Sequence, residues 1–554
     1  MSASVPTGRC AAVLALALMG CLKPDSQSGT RARLGGEAAL KKAEALTPLA
    51  CSGCHPDHFR EWRSSIMAYS TVSPSFHAME VMGNVALDGR FRRADQSPGF
   101  CITCHYLQDS KLRAWPLYKT GDEIKPFANY MDEVARHGVS CDGCHQSIHT
   151  ATPPDSLTDA AKIEYLELAW EPMPGRVGPI DNPIASKFHV NAKSDVISTS
   201  EFCAACHQVH ISGADPVTGE PFKRLQNTYD EWKASPYATA ANPSGKRLVC
   251  QDCHMSLYPY RPAGTYAESK VAVDGGGRWA SPVRKHASHY FTGVENQLVD
   301  SPDFDDESLD ANGVPRGYSQ RRRDMLRAVC TFVLEPLPQV INGGAVVPIR
   351  FTTTNVGAGH RFPSGFSKLR DFWIELTVKD GSGKVLYRSG FLTDRAHPET
   401  GELAGDNRLN DEDLEEFIWS VDADTLRTKV FEKGPDFNER PAGKKRGLVS
   451  YRDRLLGKRN GKFEIEQAIP YFADAVDNTR GLPPLVPQSA QYDVTVPVGA
   501  KGPIKVEARL LFRGFMPIFL RALGARTGLI TEEMVDRNEI VEMAVAAGQV
   551  AEVR

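Results

Sequence analysis

Beyond its first twenty residues the chain has no apolar run approaching the roughly 20 residues that a membrane-crossing helix needs, so no helical membrane domain is expected. It also has no excess of one charge. Sixty-five Lys and Arg stand against 68 Asp and Glu, a formal net charge of -3, and no basic face is legible, so nucleic acid is not an expected partner. A glycine-rich dinucleotide fingerprint is missing, and so is any legible serine or cysteine nucleophile arrangement. The acidic stretch SPDFDDESLDANG at 301–313 does not follow EF-hand spacing and reads as a linker rather than a calcium loop. What is left, at 554 residues with 41% hydrophobic and 24% charged, has the composition of an ordinary globular chain of two or three domains.

The N-terminus carries an export signal. Arg9 is followed by CAAVLALALMGC, too short for a membrane span but suited to a secretory leader over 1–20. Its end resembles a bacterial lipobox in which Cys21 is the acylated first residue, although the methionine within it is not the usual small residue. The alternative is an ordinary cleaved signal with an incidental cysteine. Residues 21–48 then read as a polar tether between a lipid anchor and the folded body. The expected location is therefore the periplasm or outer membrane of a Gram-negative bacterium, with the protein exported and held as a lipoprotein.

Thirteen cysteines are present, and ten of them form five copies of one string. These are CSGCH at Cys51 and Cys54, CITCH at Cys101 and Cys104, CDGCH at Cys141 and Cys144, CAACH at Cys203 and Cys206, and CQDCH at Cys250 and Cys253. Cys-x-x-Cys-His is the attachment pattern of haem c. Two thiols three positions apart on one turn can each add to a vinyl group of the same porphyrin. The following histidine then lies beneath the ring as proximal iron ligand, which assigns His55, His105, His145, His207 and His254. Zinc and thioredoxin-like readings of CxxC compete, but zinc needs ligands in fours and a redox pair needs no adjoining histidine. Disulfides within such short loops would staple almost nothing. Five covalently attached haems between 49 and 295 are expected, about one per fifty residues, so the porphyrins must supply much of the interior there. Their propionates would add about ten carboxylates to the formal charge count.

A histidine or methionine on the far face completes a six-coordinate iron suited to electron transfer, whereas a missing ligand leaves a position for substrate. An internal repeat bears on this. FREWRSSIMAY at 59–69 matches YDEWKASPYAT at 229–239, with Glu61, Trp62, Ser65 and Ala68 in register with Glu231, Trp232, Ser235 and Ala238. Phe59, Trp62 and Ile66 share one helical face, expected to pack against porphyrin or core.

Through CSGCHPDHFREWRSS, SEFCAACHQ, the TYDEWKASPYA to CQDCHM run and NVGAGHRFPSG at 355–365, the chain resembles a known family. This is the multihaem c-type cytochromes related to the tetrahaem electron acceptor of hydroxylamine oxidoreductase. Members commonly read Trp-x-x-Ser-x-His-Ala in the first stretch. Here Met67 replaces the histidine, so the resemblance places Met67 at a ligand position, where His/Met ligation would raise that haem's potential. A packing role for Met67 is the alternative. Further family-like distal candidates are His189, His289 and His360, with His77 and His137 as weaker ones.

From about residue 325 the grammar changes to alternation. Phe372, Ile374, Leu376 and Val378 are expected to point one way, with Trp373, Glu375, Thr377 and Lys379 opposite. GPIKVEARLLF repeats the pattern, with Leu511 on the outward side. The expected fold class is thus α+β and multidomain: a mainly helical and loop cytochrome domain (49–295), a linker or helix (296–324), then an antiparallel immunoglobulin-like β-sandwich with insertions (325–515). A helical tail over 516–554 completes it. The charge runs at 411–416 and at Lys444, Lys445 and Arg446 read as solvated faces, and Cys330 as a buried inert thiol. If His360 ligates a haem, the sandwich is locked to the haem cluster.

The function expected is single-electron transfer between redox partners, such as other cytochromes or membrane electron-transfer complexes. The alternative is a haem enzyme of nitrite or hydroxylamine type with one open site. A third reading makes the sandwich the functional, surface-binding module.

Overall fold

The computed structural model describes residues 47–85, 102–105, 119–120, 123–124, 137–146, 175–211 except 187, 223–274, 279–300, 307–390, 417–421, 428–432, 449–459, 462–466, 469–470, 473, 475–478 and 480–554. The expected leader and nearly all of the tether, with Cys10 and Cys21, lie outside these residues, as do Cys101 and the charge runs at 411–416 and 444–446.

In the first half the helices are short, and each Cys-x-x-Cys-His string sits on one or at its end. Pro48–Ser52 leads into CSGCH, and Ile102–His105, Cys141–His145, Ser200–His207 and Cys250–His254 carry the others. Local chemistry explains several boundaries. Pro56 follows His55 directly and starts Pro56–Arg63 at the position where a missing N–H costs nothing. Ser65 caps Ile66–Tyr69 by accepting from Ala68 N at 3.3 Å, and Thr199 caps Ser200–His207 by accepting from Phe202 N at 3.3 Å. Two-stranded pairings link the helices, among them parallel Gly175–Gly178 with Val190–Lys193 and antiparallel Ala267–Lys270 with Val283–His286. Apolar clusters in this half are small. One joins Ala204, Tyr229, Trp232, Tyr237 and Leu248, and another joins Tyr69 and Tyr318.

The second half is built on two antiparallel sheets. Strands β1 (Cys330–Leu334), β2 (Val346–Asn355), β3 (Asp371–Lys379), β4 (Val385–Ser389), β5 (Gln488–Thr495), β6 (Ile504–Arg513) and β7 (Ile540–Val550) arrange as β5-β2-β1 and β4-β3-β6-β7. Register pairs Phe351 with both Leu334 and Ala490, and Ile374 with Leu510. One core is shared by both sheets: Phe332, Ile349, Phe351 and Tyr492 from the first, Phe372, Ile374, Leu376, Val506 and Leu510 from the second. Period-two alternation put these residues inside. The chain is accordingly α+β.

Three expectations need correction. Trp373 and Leu511, expected outside, are buried. On that face Trp373 Nε1 donates to Gly390 O at 2.8 Å and the Arg513 guanidinium lies 5.8 Å from the Trp373 ring, while the segment around 449–451 pairs along the strand edge, Ile374 N donating to Val449 O and Tyr451 N to Phe372 O. Leu511 stands directly opposite Trp373 in the β3–β6 register, so the two side chains lie side by side on that covered face. The tail over 516–554 is only partly helical. Pro517–Thr527 and Glu532–Asp536 are helices, Pro517 falling at the first helical position, but β7 then returns to the sheet beside β6. A second apolar cluster packs Phe515, Phe519, Leu520 and Leu523 against Ala78 and Met82 of Pro74–Val85, so the chain's end buries part of its beginning.

Buried guanidinium groups join the halves. Arg322, on helix Tyr318–Arg327, donates to Val294 O at 2.7 Å and Glu539 Oε2 at 2.6 Å. Arg370 donates to Ser364 O, Gly514 O and Glu295 Oε1 at 3.2, 3.0 and 2.9 Å. Among the described residues no helix is long and apolar enough to cross a membrane. Since Arg370 satisfies three acceptors in a buried site, Arg370→Ala should lower the unfolding free energy by about 3 kcal/mol. Arg350→Ala, at an exposed strand position, should change it by under about 0.5 kcal/mol. Guanidinium denaturation of the two variants checks the contrast.

Candidate metal centres

Four of the five motif imidazoles face a main-chain carbonyl with Nδ1. His55 meets Val271 O at 2.7 Å, His105 meets Ser70 O at 3.3 Å, His145 meets Val177 O at 2.7 Å, and His254 meets Thr292 O at 2.9 Å. A donated Nδ1–H leaves the lone pair on Nε2, the nitrogen that points away from the carbonyl, and this is how metal-ligating histidines are usually oriented. His207 Nδ1 lies 3.1 Å from the side-chain amide of Gln226. With the same tautomer, the amide would turn its oxygen towards the ring. Burial lowers the pKa of His55, His105 and His254 and brings that of His207 down to about 4. The neutral imidazole, the form able to bind iron, is therefore favoured.

Three distal candidates stand opposite proximal rings. Ring centroids are 6.4 Å apart for His55 and His189, 6.2 Å for His145 and His289, and 6.4 Å for His254 and His360, with interplanar angles of 28°, 24° and 6°. An imidazole nitrogen sits about 2 Å from a bound transition metal. Adding about 1.1 Å from each nitrogen to its ring centre gives about 6.2 Å for two imidazoles sharing one metal. The observed separations match that sum and exceed direct ring stacking. His189 Nδ1 is buried without a protein partner. Burial holds His289 and His360 near pKa values of about 3 and 4, again neutral.

The remaining candidates gather around the second and third motifs. His77 lies 5.4 Å from Phe76, whose ring stacks on His105 at 4.5 Å, and His137 lies 6.3 Å from Trp62. Met67 offers its carbonyl, which accepts from Val139 N at 3.1 Å and Ser70 N at 3.3 Å. Ser70, on the same turn, also donates its hydroxyl to His105 O at 3.0 Å. His58 and His286, not among the sequence candidates, sit 4.8 Å apart, and His58 is also 4.8 Å from His289. His286 Nε2 is taken by Ser269 Oγ at 2.8 Å.

Thiols of different motifs are neighbours. Cys51 is close enough to Cys141, Cys203 to Cys250, and Cys104 to Cys206 for their thiols to shift one another's pKa. The described cysteines are all free of disulfides. Two porphyrins attached at neighbouring thiols would have their edges in contact, the arrangement that rapid electron exchange requires.

The His360 loop is held by residues that sequence reasoning passed over. Asn355 Nδ2 donates to His360 O at 2.8 Å, Tyr237 OH to Val356 O at 2.6 Å, and Tyr258 OH to Gly357 O at 3.2 Å. A Cβ on Gly359 would lie 3.3 Å from Tyr237 Cβ and 3.6 Å from Trp232 Cδ1, so this loop passes the haem half at glycine distance. Both tyrosines act across more than 95 residues of chain, which leaves no local sequence signal.

No family model matches the chain, and no curated protein matches it. A solved structure, a penta-heme cytochrome c552 from Thermochromatium tepidum, is similar in fold, with a TM-score of 0.51 at 15% sequence identity. The match covers 92% of this chain and all of that one. The likeness therefore spans the Cys-x-x-Cys-His region and the sandwich together.

Cys330 is buried and desolvation raises its pKa, so it should resist thiol reagents in the native state. On denaturation, thiol titration of the purified body from residue 47 onward should release Cys330 alone if the other ten are thioethers. Release of eleven thiols would mean that the motifs hold no covalent group.

Proposed function

We propose that the protein is a pentahaem c-type cytochrome that passes single electrons between redox partners. The observation that carries this is the set of three imidazole pairs at 6.2–6.4 Å, each pairing a motif histidine with a remote one. Haem iron supplies a reversible one-electron couple when bound. The chain's own groups do the rest. The ten motif cysteines fix five porphyrins, and His55, His105, His145, His207 and His254 are the proximal ligands. His189, His289 and His360 are the distal ligands for the first, third and fifth motifs. His77, near His105, and Met67 and His137, on segments that meet beside Ser70, are the candidates for its iron.

An iron held by two protein imidazoles has no position for substrate, so these pairs favour electron transfer over conversion of nitrite or hydroxylamine. Thiol neighbours link motif one with three, and motif two with four and five, and Cys144 of motif three is within electrostatic reach of Cys206 of motif four, which supports a path between the two groups. The multihaem cytochromes related to the hydroxylamine oxidoreductase acceptor are the family that this reading favours, and the fold likeness to a penta-heme cytochrome is in keeping with it. The sandwich is taken as immunoglobulin-like. It serves as a scaffold that delivers His360 to the haem half. The leader and Cys21 support export and a lipid anchor in the periplasm or at the outer membrane, with cytochromes or membrane complexes as partners.

Intact mass and pyridine haemochrome assay should count five haems, and the spectra of the wild type should be low-spin. His360→Ala should convert about one haem in five to a high-spin form. Unchanged low-spin spectra in that variant would remove His360 as a ligand. A wild-type high-spin fraction that shifts on adding nitrite or hydroxylamine would favour the enzyme instead.

A further inference from the structure

The repeat at 59–69 and 229–239 recurs as a set of contacts. Trp62 Nε1 donates to Val139 O at 2.7 Å, and Trp232 Nε1 donates to Leu248 O at 2.8 Å. Val139 and Leu248 each stand two residues before the first cysteine of a motif, Cys141 and Cys250. The same two residues are held from the other side. Val139 N donates to Met67 O at 3.1 Å and Leu248 N to Tyr237 O at 2.9 Å, and Met67 and Tyr237 are in register in the repeat. In both copies, then, one short helical segment fixes both main-chain groups of the residue that leads into a motif.

The carboxylate beside each tryptophan reaches the opposite side of the same gap. Glu61 Oε2 accepts from His289 N at 2.8 Å, and His289 faces His145 of the motif that Trp62 holds. Glu231 Oε2 accepts from Ser364 Oγ at 2.7 Å, while Ser235 Oγ donates to Gly359 O at 2.7 Å. Both contacts lie on the loop whose His360 faces His254 of the motif that Trp232 holds. The thiol contacts follow the same division, with first cysteines Cys51 and Cys141 joined in one copy and Cys203 and Cys250 in the other.

We infer that the haem half contains two copies of one two-motif unit, motifs one and three with the first helix and motifs four and five with the second. In these units Glu61 with Trp62, and Glu231 with Trp232 and Ser235, are positioning residues that set the distance and angle of the facing imidazoles. The second motif stands outside both units: Cys104 approaches Cys206 of the second, and His105 is tied to Ser70, directly after the first helical segment. The physical reason is that proximal and distal histidines come from distant parts of the chain. Anchoring both approaches to one rigid turn fixes their separation more tightly than either loop could alone. This assignment rests on the bis-imidazole reading of the pairs.

The test uses the full haem-loaded protein and electron paramagnetic resonance with a redox titration. His289→Ala and His360→Ala identify the two relevant low-spin signals by their loss. Trp62→Phe keeps the ring but removes the N–H donor. It should shift the g values and at least threefold the reduction equilibrium of the His289-dependent haem, leaving the His360-dependent one unchanged. Trp232→Phe should do the reverse. Glu61→Gln, which keeps an acceptor for His289 N, should leave the g values in place, and Glu61→Met should move the same signal as Trp62→Phe. If the tryptophan variants lose haem, the Glu61 pair decides alone. Signals that do not move, or the wrong signal moving, would overturn the positioning role. Fewer than five haems, or the absence of bis-imidazole signals in the wild type, would instead overturn the reading beneath it.

Discussion

Three motif imidazoles each face a remote imidazole at 6.2–6.4 Å, each pair is supplied by segments far apart in the chain, and many other contacts of this structure bear on that spacing. The motif histidine comes with its own local frame: it ends a short helix in four of the five strings and follows one in the first, and in four of the five its Nδ1 faces a carbonyl elsewhere. Its partner has no such frame. His189, His289 and His360 lie in coil or at strand edges, so other parts of the fold must place them. His289 is fixed by Glu61, from the segment just after the first motif, and His360 by the β-sandwich and by Tyr237, Tyr258 and Ser235.

This gives the sandwich a role that its core does not suggest. Phe351, Phe372, Ile374 and Leu510 stabilise it as they would any two-sheet domain. The loop after β2, however, leaves the sheet at Asn355, whose side chain donates to His360 O and Leu482 O and thereby ties the loop to the scaffold. Arg370 adds a buried link from Ser364 O to Glu295, at the end of the haem half. The helix Pro517–Thr527 packs on Pro74–Val85, beside Phe76 and the second motif. The two halves are therefore cross-braced at the places where ligands are presented.

Polar burial in the haem half follows the same logic. Glu61 is buried and Glu231 half-buried, and desolvation raises their pKa values to about 8 and about 7, an arrangement unfavourable to charge that is offset by hydrogen bonds to the segments carrying His289 and His360. Trp62 and Trp232 bury large rings while satisfying carbonyls that would otherwise be lost to water.

The five Cys-x-x-Cys-His strings were legible in the sequence because their spacing is fixed, and spacing survives in one dimension. The sandwich core was legible for a related reason, since period-two alternation is a local consequence of strand geometry. Trp373 and Leu511 escaped that pattern because they lie opposite each other on the outer face and that face is covered by tertiary contacts, Gly390 and Arg513 among them. The repeat could be seen as matching letters, yet its meaning could not, since Trp62 acts 77 residues away and Glu61 acts 228 residues away. Which histidine faces which motif was likewise left to the tertiary structure. Pairing across a gap depends on distances between segments that share no local pattern, and only the folded chain brings those segments together.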